Sequence, residues 1–146
     1  MTVRPYQPSD WPEWGRMSGA LFPHDDAAAE ERFMRDLIAR SDAAVFIAER
    51  DDGSPCGFVE VGTRAYADGC DTSPVGYIEA WYVDADVRRG GHGRALLAAA
   101  EAWARAQGYR EMASDALLDN TVSHEAHVRN GYAEVDRVVQ FRKSLA

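Results

Sequence analysis

VDADVRRGGHGRALL, running from Val83 to Leu97, decides how this chain reads. An apolar strand enters a loop of arginine and glycine, and the loop opens directly onto an amphipathic helix. Gly90, Gly91 and Gly93 remove β-carbons, so successive backbone N–H groups can converge on an anion at the positive end of a helix dipole. Arg88, Arg89 and Arg94 add full positive charges, and His92 sits between the glycines beside the expected phosphate. The segment therefore reads as a phosphate cradle.

Two common phosphate loops do not fit. A Walker loop needs Gly-Lys-Ser/Thr, whereas Gly93 is followed by Arg94 and Ala95. A dinucleotide fingerprint needs a third small residue, and Gly91-His92-Gly93-Arg94-Ala95-Leu96 lacks it.

Outward from the loop, Val75–Val83 (VGYIEAWYV) reads as a central strand interrupted by Gly76 and Glu79. On its other side a helix buries Leu96, Leu97, Ala100, Trp103 and Ala104 and stops at Gly108. Residues 109–115 form the next strand. Asp119 or Asn120 caps a helix to about Asn130, ended by Gly131. The tail YAEVDRVVQFRKSL supplies one or two more strands, with Val135, Val138 and Phe141 partly buried.

Toward the N-terminus, residues 2–7 are an edge strand, because Pro5 cannot donate to a ladder. Ser9-Asp10 cap a helix to Leu21 that buries Trp11, Trp14, Met17, Ser18 and Leu21. A helix over 26–40 buries Phe33, Leu37 and the stem of Arg40. Two extended runs around the Asp51–Pro55 turn make a hairpin. The expected order is β-α-α-β-β-β-α-β-α-β-β.

The 146 residues suit a single domain, 1–146. No leader and no run of about 18 apolar residues is present, so a soluble, cytoplasmic protein without membrane contact is expected. A net charge of −8 argues against nucleic acid and for a cationic small molecule. Cys56 and Cys70 lack metal-ligand spacing and are expected to be reduced thiols; no metal is expected.

The element order and Arg88-Arg89-Gly90-Gly91-His92-Gly93 resemble the GNAT superfamily of acyl-CoA-dependent N-acetyltransferases, whose signature is Gln/Arg-x-x-Gly-x-Gly/Ala. The resemblance implies an α/β (α+β) GNAT fold, with a mixed sheet of six to seven strands and about four helices. It makes the loop a site for the pyrophosphate of coenzyme A, with acetyl-CoA as cosubstrate. Trp81, Tyr82 and Val83 would pair with the pantetheine as an added strand does. Asn120 matches a residue that hydrogen-bonds the cofactor.

The segments GCDTSPVGYIEAWYV (69–83) and REMASDALLDNTVSHEAHVRNGY (110–132) are similar to the aminoglycoside 6'-N-acetyltransferases. That resemblance implies an aminoglycoside acceptor, bound by Phe22, Tyr66, Glu79, Asp115 and Asp136. Phe22 stands where close relatives carry tryptophan. His127 occupies the position, four residues before Gly131-Tyr132, where many members place a thiolate-protonating tyrosine.

Chemistry supports two catalytic candidates. A primary ammonium with a pKa of about 10 leaves only about one molecule in a thousand as free amine at neutral pH. The site must bind a cation and take a proton. Glu79, in an apolar strand, suits that role, and Asp115, at the end of the neighbouring strand, is placed to share it. The plain readings are an outward strand carboxylate and a helix cap. Neither cysteine has a nucleophile's setting, so direct transfer in a ternary complex is expected. Alternatives are a polyamine, another small metabolite amine or a protein amine as acceptor, or a non-catalytic binding module. A homodimer is expected, as is common in the family.

Overall fold

Period-two alternation of apolar residues builds a five-stranded sheet from β1 (Thr2–Pro5), β2 (Ala44–Glu49), β3 (Pro55–Arg64), β4 (Val75–Val83) and β5 (Met112–Ser114), in that spatial order. The first four strands pair antiparallel, and β5 joins β4 in parallel. This computed structural model describes residues 2–23 and 25–146, and the chain divides into one unit up to Asp115 and another from Ala116.

One sheet face is covered by α1 (Trp11–Leu21) and α2 (Ala27–Ala39). There Trp14, Met17, Met34, Leu37, Val45, Ile47, Phe58 and Ala80 form the main core. On the other face α3 (His92–Ala106) packs against β2, β3 and β4 through Leu96, Leu97, Ala100 and Ala104. Trp103 is only half-buried and meets the Tyr109 ring edge-on at 6.1 Å.

Three expectations need correction. The sheet has five strands among the described residues instead of six to seven, because no strand forms in 133–146. Val135, Val138 and Phe141 are exposed there, Phe141 by 92%. Apolar alternation supplies strand propensity, but a strand also needs a neighbour to satisfy its backbone, and this segment has none within its unit. Asp10 is the N-cap residue of α1, as expected, but its side chain does not cap that helix: it ends a 3-10 turn, Pro8–Asp10, where its carboxylate accepts the Gln7 N–H and a two-pronged bond from Arg4 at 2.7 and 2.8 Å. That guanidinium holds the Asp10 carboxyl below the usual carboxylate range. In α2 Met34 and Leu37 are buried while Phe33 is exposed, so the inward face is displaced by one residue from the aromatic.

The second unit contains α4 (Thr121–Arg129), capped by Asn120. Gly108 and Gly131 end their helices at φ +89°, as expected of left-handed terminators. No helix among the described residues is long and apolar enough to cross a membrane.

Candidate active site

The arginine-glycine loop begins where β4 ends. Asp84 is held there by Arg16 of α1 at 2.9 Å and Arg50 at 3.2 Å, followed by a 3-10 turn, Ala85–Val87. These ion pairs fix the exit of the strand to two other elements. Arg88 donates back to the Val83 carbonyl at 2.9 Å, and Arg89 adopts φ +68°, a left-handed conformation that costs a non-glycine residue about 1 kcal/mol.

Gly91 caps α3 at φ +90° without a side-chain hydrogen bond. The N–H groups of His92, Gly93 and Arg94 thus begin a 15-residue helix with no intrahelical acceptor. Exposed Arg88, Arg89 and Arg94 surround that end. Free donors, a helix dipole and three guanidiniums suit a diphosphate.

The glycines have different tasks. Gly91 is needed for its backbone angle. A β-carbon on Gly93 would meet the Trp81 ring at 3.2 Å, and Trp81 Nε1 donates to the Gly93 carbonyl at 3.1 Å. Gly93 therefore seats an indole of β4 against the helix start, a reason for its small size that the sequence did not reveal.

β4 has two different edges. Toward β3 it is paired along its length, but toward β5 the ladder covers only Gly76, Tyr77 and Ile78. Beyond Ile78, residues 79–83 run past the end of the β5 ladder, so this part of β4 forms a sheet margin of the kind along which an extended ligand can lie, with the Val83 carbonyl already accepting from Arg88.

At that transition the β3–β4 register slips between Glu60 and Val61: Glu60 faces Ala80, Val61 faces Ile78, and Glu79 is the additional residue. Glu79 is half-buried, and its Oε1 lies 3.8 Å from where a β-carbon of Gly62 would stand, on the α1/α2 face that Gly62 shares with Glu60 and Phe58. Arg64 donates to its two carboxylate oxygens at 3.2 and 3.0 Å. The same guanidinium lies 3.5 Å above the Tyr77 ring, and the Tyr77 hydroxyl donates to Asp115 at 2.7 Å. Glu79, Arg64, Tyr77 and Asp115 form a continuous chain of contacts. Burial and the Asp115 carboxylate push the Tyr77 hydroxyl pKa well up, so it remains a donor.

The other acceptor candidates stand apart from that chain. Phe22 closes α1 and packs on the core cluster containing Ala80, the neighbour of Glu79. Tyr66 is 71% exposed, and its hydroxyl donates to Asp68 at 3.1 Å.

In the second unit, exposed Asp136 accepts the Arg137 N–H at 2.8 Å. Asn120 accepts the Ser123 N–H at 3.2 Å, a helix-cap bond. His127 bonds through Nδ1 to the Ser123 carbonyl at 2.7 Å and meets the Tyr132 ring edge-on. Cys56 is fully buried, and burial raises the thiol pKa of both cysteines. No cluster of metal-ligating side chains occurs among the described residues.

A family model described as Acetyltransferase (GNAT) family matches residues 7–132. The chain belongs to that family. Curated relatives include the aminoglycoside N(6')-acetyltransferase type 1 of Stenotrophomonas maltophilia, 41% identical over 99% of this chain and 94% of the relative. That of Klebsiella aerogenes is 42% identical over 98% and 96%. Among solved structures, an aminoglycoside antibiotic 6'-N-acetyltransferase of Acinetobacter haemolyticus superposes with a TM-score of 0.92 at 33% identity, covering both chains fully. AAC(6')-Iy in complex with the bisubstrate analog CoA-S-monomethyl-acetylneamine superposes at 0.91 with 32% identity, over 98% of this chain and 97% of that one.

Within the GNAT family this chain is thus an acetyltransferase of the aminoglycoside 6'-N-acetyltransferase group. Two site residues escaped sequence reasoning, Arg64 and Tyr77. Arg64 lies at the end of a strand, and Tyr77 reads as an ordinary core aromatic; only strand register brings them between the two carboxylates.

Proposed function

We propose that this acetyltransferase transfers the acetyl group of acetyl-CoA directly to the 6'-amine of an aminoglycoside. The observation carrying this reading is the Glu79–Arg64–Tyr77–Asp115 chain beside the end of β4 that runs past the β5 ladder. Two carboxylates close together, next to the stretch proposed for the thioester carrier, support an amine acceptor there.

Acetyl-CoA supplies an activated acyl carbon and a thiolate leaving group. Arg88, Arg89, Gly90, Gly91, His92, Gly93 and Arg94 hold its diphosphate, with Trp81, Tyr82 and Val83 along its amide arm and Asn120 as a further contact. Glu79 receives the incoming ammonium and accepts its proton. The freed lone pair forms the C–N bond as the C–S bond breaks, and the second proton lost from nitrogen neutralises the departing thiolate, giving the amide and the free thiol of CoA. A thiol with a pKa of about 8.5 leaves with little assistance, so His127 is not required as an acid. Asp115 binds a neighbouring ammonium, held in place by the Tyr77 hydroxyl. Phe22 and Tyr66 offer ring faces to sugars, and Asp136 supplies another anionic contact.

The raised thiol pKa values of Cys56 and Cys70 favour direct transfer over an acyl-cysteine route. We place the whole chain, 1–146, in one functional domain and the protein in the cytoplasm as a homodimer. The exposed apolar side chains of the tail support the dimer.

Steady-state rates with kanamycin, spermidine and amine-bearing peptides test the acceptor. The highest kcat/KM is expected for kanamycin; a preference for spermidine or a peptide overturns the assignment.

A further inference from the structure

Glu60 lies in the middle of β3, opposite Ala80 on one side and Val45 on the other, where the register slip puts Glu79 on the same face. It is completely buried, and neither carboxylate oxygen has a hydrogen-bond partner. Trp14 Nε1, also buried and unbonded, approaches from α1 without reaching hydrogen-bond geometry. An orphaned carboxyl in a core otherwise composed of Trp14, Met17, Phe58 and Ala80 is costly to keep, and packing alone would be served better by an apolar residue.

The groups acting on Glu60 are nearly all acidic. From α2 comes Glu30, whose carboxylate accepts the Ser18 hydroxyl of α1 at 2.8 Å; from β4 comes Glu79. α1 offers only the Trp14 indole and the Ser18 hydroxyl, and β2 presents Val45. Among the described residues no cation forms an ion pair with Glu60, whereas Glu79 has Arg64. Burial, with Glu30 and Glu79 nearby, raises the Glu60 carboxyl to about 8.

We infer that Glu60 is a positioning residue that carries a proton in the ligand-free enzyme and gives it up when a polycationic acceptor is seated at Glu79. Glu60 thereby matches the negative charge of the pocket to its ligand. The inference rests on the proposed aminoglycoside function. Burial does most to keep Glu60 neutral, with repulsion from Glu30 and then Glu79 added to it; positive charge brought to Glu79 cancels that last repulsion and attracts an ionised Glu60 directly, and ionised Glu60 in turn strengthens attraction for the cation. The proton passes to solvent, so binding is linked to proton release. No bond to the substrate is made or broken by Glu60.

Calorimetry of kanamycin binding at pH 7, in buffers of different ionisation enthalpy, counts the protons released. With a carboxyl titrating near 8, about nine-tenths of the molecules carry the proton beforehand. The wild type should release at least about half a proton more per kanamycin than Glu60→Gln or Glu60→Met. The ratio of variant to wild-type Kd should rise about threefold or more from pH 6.5 to pH 8.5.

Infrared difference spectra read the same group without a variant: a protonated-carboxyl band should disappear from the wild type on adding kanamycin. Binding with equal proton release in all three proteins and no lost band overturns the role of Glu60 alone. No kanamycin binding to any of them overturns the aminoglycoside reading and this inference together.

Discussion

The arginine-glycine loop and the Glu79–Asp115 cluster, proposed to hold carrier and acceptor, lie at opposite ends of the same few residues of β4, yet they are built differently. The loop, residues 84–94, is contiguous in sequence and works mainly through backbone: orphan N–H groups, a glycine at φ +90° and a helix dipole. The cluster is assembled from β3, β4 and the end of β5, and works through side chains whose meeting depends on a register slip. Backbone sites are robust to side-chain changes that keep the turn. Side-chain sites fail when one partner is removed. Variants in the two regions should therefore separate kinetically.

The largest effect is expected from Glu79→Gln, which keeps shape but removes the proposed proton acceptor. kcat/KM for kanamycin should fall about 100-fold or more, with the KM for acetyl-CoA nearly unchanged. Steady-state kinetics with both substrates varied checks this; a loss confined to acetyl-CoA binding would break the division. Gly91→Ala forces a β-carbon into the left-handed region. It should raise the KM for acetyl-CoA about tenfold and lower stability by about 1 kcal/mol, measured by urea denaturation, while the acceptor KM holds.

Tyr77→Phe sharpens the comparison by removing one hydrogen bond, that to Asp115 at 2.7 Å. With a net value of about 1 kcal/mol for the bond, the acceptor kcat/KM should fall about fivefold and acetyl-CoA parameters should not move. A larger loss in acetyl-CoA binding would join the two regions into one network.

The smallest effect on activity at pH 7 and the clearest on stability comes from Glu60. Its carboxyl titrates near 4.5 in the unfolded chain and near 8 in the folded one, so between those values the folded state binds the extra proton. Stability must then fall as pH rises through this window. Wild-type Tm should drop by roughly 5 °C or more from pH 5 to pH 8 relative to Glu60→Gln, followed by scanning calorimetry. Equal slopes would show that Glu60 does not titrate in that range.

The same contrast explains what could be read in the sequence. The loop was legible because its signal is local: Arg88 to Arg94 stand together, and the order of strand, glycine and helix defines their geometry. Glu79 and Asp115 stood out as acids near strand ends, aided by family resemblance. Arg64 and Tyr77 did not, because an arginine at the end of a strand and a tyrosine in an apolar run are commonplace. Glu60 was concealed within CGFVEVGTRAY, where alternation predicts one outward face. Helix cover on both faces of β3 buries it instead. In the tail, apolar alternation at Val135 and Val138 gave a strand pattern with no neighbour in its own unit to complete a ladder.

The most direct measurement is the structure of the product formed from kanamycin and acetyl-CoA. One acetyl group on the 6'-amine, assigned by NMR, and its formation about 100-fold or more slower with Glu79→Gln are the expected results. Acetylation at a different amine, or undiminished product from the variant, would contradict an acceptor site organised around Glu79.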